Sequence, residues 1–264
     1  MLKKLLVFSV QCMFISYILV AAALYCFQEK LIFLPARLES GYRFDLRSPF
    51  EEINLAADGA VLNGLRIHAQ KPKGALLFFH GNAGTLQDWS PVAERFAALG
   101  YETYLFNYRG YGKSTGRISS EAVLFDDADK AVEYVRNDFG GKPEVVAGYS
   151  MGSGLAARAA RQYGIRKLAL FAPYFKLDDF LHEKVVWMPK FLIRYRIPTA
   201  DFIAAAKQSE ITLLHGRQDA LIGVENMHKL SKLLKKQDKA FELEADHNTI
   251  MLKPELWQIL QNRL

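Results

Sequence analysis

Cysteine is scarce in this chain: 264 residues include two, Cys12 and Cys26. That excludes a disulfide framework and a cysteine-ligated metal site. Both lie in the N-terminal apolar stretch, so everything from Phe27 to Leu264 is cysteine-free. Cysteine usage therefore does not choose between an oxidising and a reducing compartment. The sequence also lacks zinc-finger spacing, a basic-aromatic repeat, a Walker glycine loop, internal repeats, low-complexity tracts and an interdomain linker. Charged residues make up 23% of the chain, with a net charge of +6. This mild, diffuse excess favours anionic surfaces but does not argue for nucleic acid. Half of the residues are hydrophobic, which excludes whole-chain disorder and collagen-like repeats.

The one long apolar run is at the amino terminus. Lys3 and Lys4 precede an uncharged stretch from Leu5 to Phe27. As a helix it is about 34 Å long, enough for a hydrocarbon core of roughly 30 Å. The alternative is a cleaved signal peptide, for which Ala21-Ala22-Ala23 offers a small-residue site. The usual apolar core of such a peptide, about 7–15 residues, is shorter than this run. Lys30 and Arg37 follow the run with Glu29 beside them. The charge balance favours a cytoplasmic N-terminus. The expectation is a transmembrane signal anchor over residues 1–27 and a single globular domain over 28–264 on the non-cytoplasmic side.

That domain alternates two kinds of segment. Glu51–Ala56 and Val61–Ala69 read as strands around Ala57-Asp58-Gly59. Ala75–Phe79, Tyr101–Asn107, Glu144–Tyr149, Lys167–Phe171, Ile211–His215 and Ala240–Leu243 read as further strands. Helical spacing covers Leu86–Leu99, Ser120–Phe139, Gly152–Tyr163, Gly223–Lys236 and Pro254–Asn262. Asp126, Asp127 and Asp129 read as a solvated face of the second of these, and Lys229, Lys232, Lys235 and Lys236 as one of the fourth. For the lysines, attraction to anionic lipid is the alternative. Repeated β-α-β units imply an α/β fold, a mainly parallel sheet covered by helices on both faces.

The strongest chemical signal is Gly148-Tyr149-Ser150-Met151-Gly152, between the apolar strand Val145–Ala147 and a helix rich in small residues. This is the context of a nucleophile elbow, where a sharp turn exposes the serine hydroxyl and side chains at the flanking glycines would collide. A serine hydroxyl needs a positioned base. His247, after the last short strand, is the candidate. His80 and His215 end strands before glycines and suit structural hydrogen bonds, while His68, His182 and His228 are worse placed. An acid must orient the imidazole and stabilise its charged form. Asp219 follows a strand through Gly216-Arg217-Gln218, at the carboxyl edge where such sheets place their sites. Asp178 and Asp179 are its rivals, and Asp246 adjoins the base but is expected to point elsewhere. The order Ser150, Asp219, His247 is the chain order of this arrangement. Oxyanion donors are expected from the backbone N–H of Met151 and, in the loop His80-Gly81-Asn82-Ala83-Gly84, of Asn82.

Together the stretches LIFLP (31–35), FFHGNAG (78–84), FNYRGYGKSTG (106–116), GYSMGSG (148–154), LLHGRQD (213–219) and DHN (246–248) resemble the α/β-hydrolase superfamily of serine hydrolases, in its membrane-anchored branch. The resemblance spans about residues 28–262. It implies the α/β-hydrolase fold, a Ser-Asp-His triad at Ser150, Asp219 and His247, and no metal or organic cofactor. Serine rather than aspartate at the elbow sets the chain apart from epoxide hydrolases and haloalkane dehalogenases. Fold alone does not name the substrate. The expected reaction is cleavage of a small-molecule or lipid-like acyl ester or thioester. A peptidase or amidase with the same triad, and a noncatalytic membrane-tethered binding protein, stay open. Residues 173–208, with Val185-Val186-Trp187-Met188-Pro189 and Phe191-Leu192-Ile193, read either as an apolar cap that shapes an acyl pocket and touches the bilayer or as an ordinary connecting segment. On the cap reading, Trp187 and Phe191 contribute to long-chain binding.

Overall fold

The computed structural model describes residues 1–264. Helix α1 (Leu2–Cys26) and the short α2 (Gln28–Ile32) precede a sheet of β1 (Phe50–Ala57), β2 (Ala60–Ile67), β3 (Ala75–Phe79), β4 (Glu102–Phe106), β5 (Val145–Tyr149), β6 (Lys167–Phe171), β7 (Glu210–Gly216) and β8 (Lys239–Leu243). Around it pack α3 (Leu86–Ala98), α4 (Glu121–Phe139), α5 (Met151–Tyr163), α6 (Leu177–Lys184), α7 (Thr199–Ala205), α8 (Glu225–Ser231) and α9 (Pro254–Arg263). The strand order is β1-β2-β4-β3-β5-β6-β7-β8. Strands β3 to β8 run parallel, and β1 and β2 add an antiparallel edge. The α/β architecture expected from the alternating pattern is the one observed.

Apolar composition explains the layering. Every residue of β3, β4 and β5 is buried, as strands covered on both faces must be. Two apolar clusters result. One packs Leu124, Val132 and Leu155 under one face, and the other packs Phe96, Leu256 and Leu260 under the opposite face. Each fully buried side chain of this size contributes about 1.5–3 kcal/mol. Helix boundaries follow local chemistry. Thr85 and Asp88 form a capping box at the start of α3. The Ser120 hydroxyl accepts from the Val123 N–H to start α4, and Gly140, in the left-handed region, ends it.

Strand β4 lies on one side of β3 and β5 on the other. The chain thus reverses direction across the sheet between β4 and β5, and ligands of such sheets bind beyond the carboxyl ends of the strands at that point. The loop after β3 and the turn after β5 both open there.

Two readings of surface helices are corrected. Asp127 is not solvated. It is buried, and it binds the Arg109 guanidinium through two hydrogen bonds of 2.7 and 2.8 Å. Burial raises the Asp127 carboxyl above its ordinary value, and Arg109 opposes the rise. The pair pins the glycine-rich loop 109–116 to α4. Its neighbours Asp126 and Asp129 pair with Lys130 and Arg158. The lysine stripe does not lie along one helix either. Helix α8 stops at Ser231, and Lys235 and Lys236 fall in a turn where the Asp238 carboxylate accepts from the Lys235 N–H. That local hydrogen bond competes with a further helical turn.

Helix α1 is long and apolar enough to cross a membrane. Ala21 is its one buried residue. Its carboxyl end leads into a strap, residues 28–38, that runs over the carboxyl edge of the sheet. There Ala36 and Leu38 share backbone hydrogen bonds with Gly112.

Candidate active site

The turn between β5 and α5 is strained by construction. Ser150 has φ of 51°, a left-handed conformation that costs a non-glycine residue about 1–3 kcal/mol. Surrounding contacts hold it there. The Ser150 N–H donates to Phe171 O at 2.9 Å, and Ser150 O accepts from the Ser153 N–H at 2.9 Å and the Ser153 hydroxyl at 2.6 Å. The flanking glycines are steric requirements. A Cβ on Gly148 would meet the Gly152 carbonyl, and one on Gly152 would meet Phe79 O.

Ser150, Asp219 and His247 converge. The hydroxyl oxygen of Ser150 lies 3.0 Å from His247 Nε2, and His247 Nδ1 lies 2.7 Å from Asp219 Oδ2. An ionised carboxylate only accepts, so Nδ1 carries the proton and Nε2 is left to accept from the serine. All three residues are buried. Burial of Asp219 by itself raises its pKa. Hydrogen bonds from His215, His247 and the Ile222 N–H outweigh that and hold the carboxyl well below the usual carboxylate range. The other oxygen, Oδ1, accepts from the N–H groups of Leu221 and Ile222 at 3.0 and 2.9 Å. The rivals are elsewhere: Asp178 and Asp179 both bind Lys190. Asp246 folds back on Asn248 and Thr249.

Asn82 and Met151 line one cavity with Ser150. Neither backbone N–H has a protein acceptor. The Met151 amide is the first of α5, whose opening N–H groups have no intrahelical partner. The Asn82 side chain is engaged sideways. Its Nδ2 donates to Ile32 O at 2.5 Å, and its Oδ1 accepts from the Tyr111 hydroxyl at 2.9 Å. Tyr111 in turn accepts from the Leu34 N–H at 3.0 Å. The strap is thereby stitched to the loop after β3.

The cavity has a volume of about 460 Å³, within the range of small-molecule sites. One wall comes from Leu24, Leu31 and Leu34 at the foot of α1, the other from Leu177, Phe180 and Met188 in residues 173–208. Lys184 is the one charged side chain in the lining, and no carboxylate faces it. Trp187 and Phe191, expected to contribute to long-chain binding, are exposed and do not line the cavity. Gln28 is buried between the walls. Its amide donates to Leu192 O at 2.7 Å and accepts from the Arg194 N–H at 3.0 Å.

Two contacts escape a reading along the chain, that of Tyr149 with His247 and that of His215 with Asp219. The Tyr149 hydroxyl donates to the His247 carbonyl, and its ring packs 5.2 Å from the imidazole. His215 Nε2 lies 2.7 Å from Ile222 O and 3.3 Å from Asp219 Oδ2. His80 donates from Nδ1 to Gly81 O at 2.7 Å, the structural use expected of it, and burial lowers its pKa to about 4. His68 and His228 bind Glu102 and Glu242.

Comparison with known proteins follows the same lines. The Pyrococcus furiosus esterase Pf2001 superposes with a TM-score of 0.71 at 20% identity, covering 88% of this chain and 96% of that one. Protein bem46 of Schizosaccharomyces pombe is 28% identical over 261 residues, 91% of this chain and 87% of its own length. The lysophosphatidylserine lipase ABHD12 of Danio rerio is 34% identical over 95 residues, 35% of this chain and 25% of its own. A family model described as serine aminopeptidase, S33, matches residues 70–209. With just over half its length matched by that model, and with the fold and strand order described above, the chain belongs to this hydrolase family of the α/β-hydrolase superfamily.

Proposed function

We propose that this hydrolase cleaves carboxylic ester or thioester bonds by two-step acyl transfer. The supporting observation is the Ser150–His247–Asp219 chain of contacts opening into an apolar cavity. His247 takes the Ser150 proton as the hydroxyl attacks the carbonyl. The tetrahedral oxyanion is held by the Met151 and Asn82 amides, and loss of one such donor costs about 10²–10³ in rate. His247 then protonates the departing alkoxide or thiolate. Water, activated by the same base, releases the acid from the acyl-enzyme.

The cavity favours acyl esters over the peptides named in the family's description. An aminopeptidase must neutralise a protonated α-amine, and no carboxylate lines this cavity. The apolar lining suits a hydrocarbon chain. The test is activity-based profiling with a fluorophosphonate, together with turnover of p-nitrophenyl esters, thioesters and aminoacyl anilides by wild type and Ser150→Ala. Labelling and ester turnover that vanish in Ser150→Ala are expected. Faster anilide turnover would favour the peptidase, and an unlabelled Ser150 the noncatalytic scaffold.

In this reading residues 1–27 are a retained bilayer anchor, 28–264 the catalytic domain and 173–208 its cap. Retention is supported by Tyr17, which precedes the small-residue site at Ala21-Ala22-Ala23 and whose hydroxyl donates to Trp187 O in the cap. Lys3 and Lys4 support a cytoplasmic N-terminus and a catalytic domain on the other side. Protease protection of the domain in sealed vesicles tests the orientation, and digestion from the cytoplasmic face alone would reverse it.

A further inference from the structure

The cap extends along the anchor. The Tyr17 hydroxyl, within α1, donates to Trp187 O at 3.2 Å, and the two rings meet edge to face with centroids 5.9 Å apart. Around this contact Val186, Trp187 and Phe191 are 71%, 46% and 76% exposed. The charge among them, Lys190, is paired with Asp178 and Asp179, which leaves this cluster one net negative charge at the root of the tip.

Length decides what covers this tip. Tyrosine and tryptophan favour membrane interfaces, so one position for the bilayer boundary is at Tyr17. The apolar helix before it, Leu5 to Ser16, would then be about 18 Å long, well short of a hydrocarbon core of roughly 30 Å. A span of about 20 residues from Leu5 reaches Leu24 instead. Tyr17 then lies about 10 Å below the level of Leu24. Trp187, packed against it, is carried in to a similar depth, comparable with the 5–10 Å burial of interfacial elements. Leu24 lines the cavity. The cavity therefore sits at the boundary, with its cap wall rooted in the acyl region.

We infer that the cap tip Val186–Phe191 is a second membrane-inserted element, and that the cavity takes a membrane-resident acyl ester sideways from the adjoining leaflet. The acyl chain passes between the foot of α1 and the cap without crossing water, and its carbonyl stops at the level of Ser150. The tip's insertion rests on α1 being a membrane span, and the substrate class rests in addition on the hydrolase reading above.

The experiment uses the full-length chain in phosphatidylcholine vesicles, with and without bromine at mid-chain. Bromine should quench a component of the wild-type tryptophan emission that Trp187→Phe lacks. Equal quenching in the two proteins, with the chain still resistant to alkaline carbonate extraction, overturns insertion of the tip while leaving the anchor in place. It is also the outcome if another protein covers the tip. Release by carbonate overturns the anchor and the inference together. The second readout is Val186→Asp/Phe191→Asp, two exposed positions outside the cavity lining. Hydrolysis of a vesicle-embedded long-chain ester should fall at least about tenfold, because carboxylates resist the hydrocarbon. Hydrolysis of soluble p-nitrophenyl acetate should be unchanged. Equal activity on the vesicle ester refutes lateral uptake. A wild type inactive on both esters removes the hydrolase reading, and the quenching result still reports on the tip.

Discussion

His215 and Asp219 are coupled beneath the imidazole of His247. His215 Nε2 sits 2.7 Å from the Ile222 carbonyl and 3.3 Å from Asp219 Oδ2. Both partners only accept, so Nε2 carries the proton, and the buried Nδ1 is left without a hydrogen-bond partner. Asp219 Oδ2 thus receives His215 on one side and His247 on the other. His215→Phe removes the N–H that donates to Ile222 O and lies 3.3 Å from a buried carboxylate, a contact worth about 0.5–1.5 kcal/mol. The expected outcome is a fall in kcat of up to about tenfold with a smaller change in KM, since His215 itself does not line the cavity. His215→Gln, which restores a donor, should recover part of it. A raised KM with normal kcat would show that His215 serves packing alone.

Gly152 approaches the end of β3 so closely that a methyl group there would meet the Phe79 carbonyl. Gly152→Ala must push α5 away from the sheet, and Ser150 moves with it. Overpacking of this kind costs about 1–3 kcal/mol. A displacement of about 1 Å at the nucleophile costs about 10² in rate. Thermal unfolding and p-nitrophenyl acetate turnover measure the two effects separately. Full activity in a stable variant would contradict the close approach.

The candidate site was legible where chemistry is local. The sharp turn at Ser150, the loop that sets Asp219 beyond β7 and the segment that ends in His247 each carry their own turn residues, and strand order does the rest. What depends on distant packing was not legible. Asp127 stands between Asp126 and Asp129, and nothing adjacent in sequence marks it as Arg109's buried partner. The strap meets the loop after β3 through Ile32 and Asn82, far apart along the chain. Trp187 and Phe191 read as pocket residues because they are large and apolar, but the cap turns Phe180 and Met188 inward and leaves them outside.

The inward-facing residues should therefore set chain-length preference. Leu177 is buried and lines the cavity. Leu177→Trp shortens the space without touching the Ser150–His247 contact. Each buried methylene contributes about 0.8 kcal/mol, roughly fourfold in binding. Turnover of p-nitrophenyl octanoate should fall by at least about tenfold relative to acetate, through KM. An unchanged octanoate-to-acetate ratio would remove this cavity as the acyl site.

His80 gives the fold a pH dependence of defined sign. Its ring is fully enclosed, packed on Tyr108 with centroids 4.2 Å apart, and burial lowers its pKa to about 4. In the unfolded chain the ordinary value is about 6.5. Between these two values the unfolded state binds a proton that the folded state refuses. Stability therefore falls as the pH drops from about 6.5 to about 4, by about 3 kcal/mol from this residue. It is fully present above the upper value and does not return below the lower one. His80→Gln keeps a donor for Gly81 O and removes the titration, so it should lose less stability between neutral and acid pH than wild type. Denaturant unfolding of detergent-solubilised protein at about pH 7 and about pH 4.5 measures the difference. Parallel losses in the two proteins would mean that His80 accepts a proton in the folded state as readily as in the unfolded one.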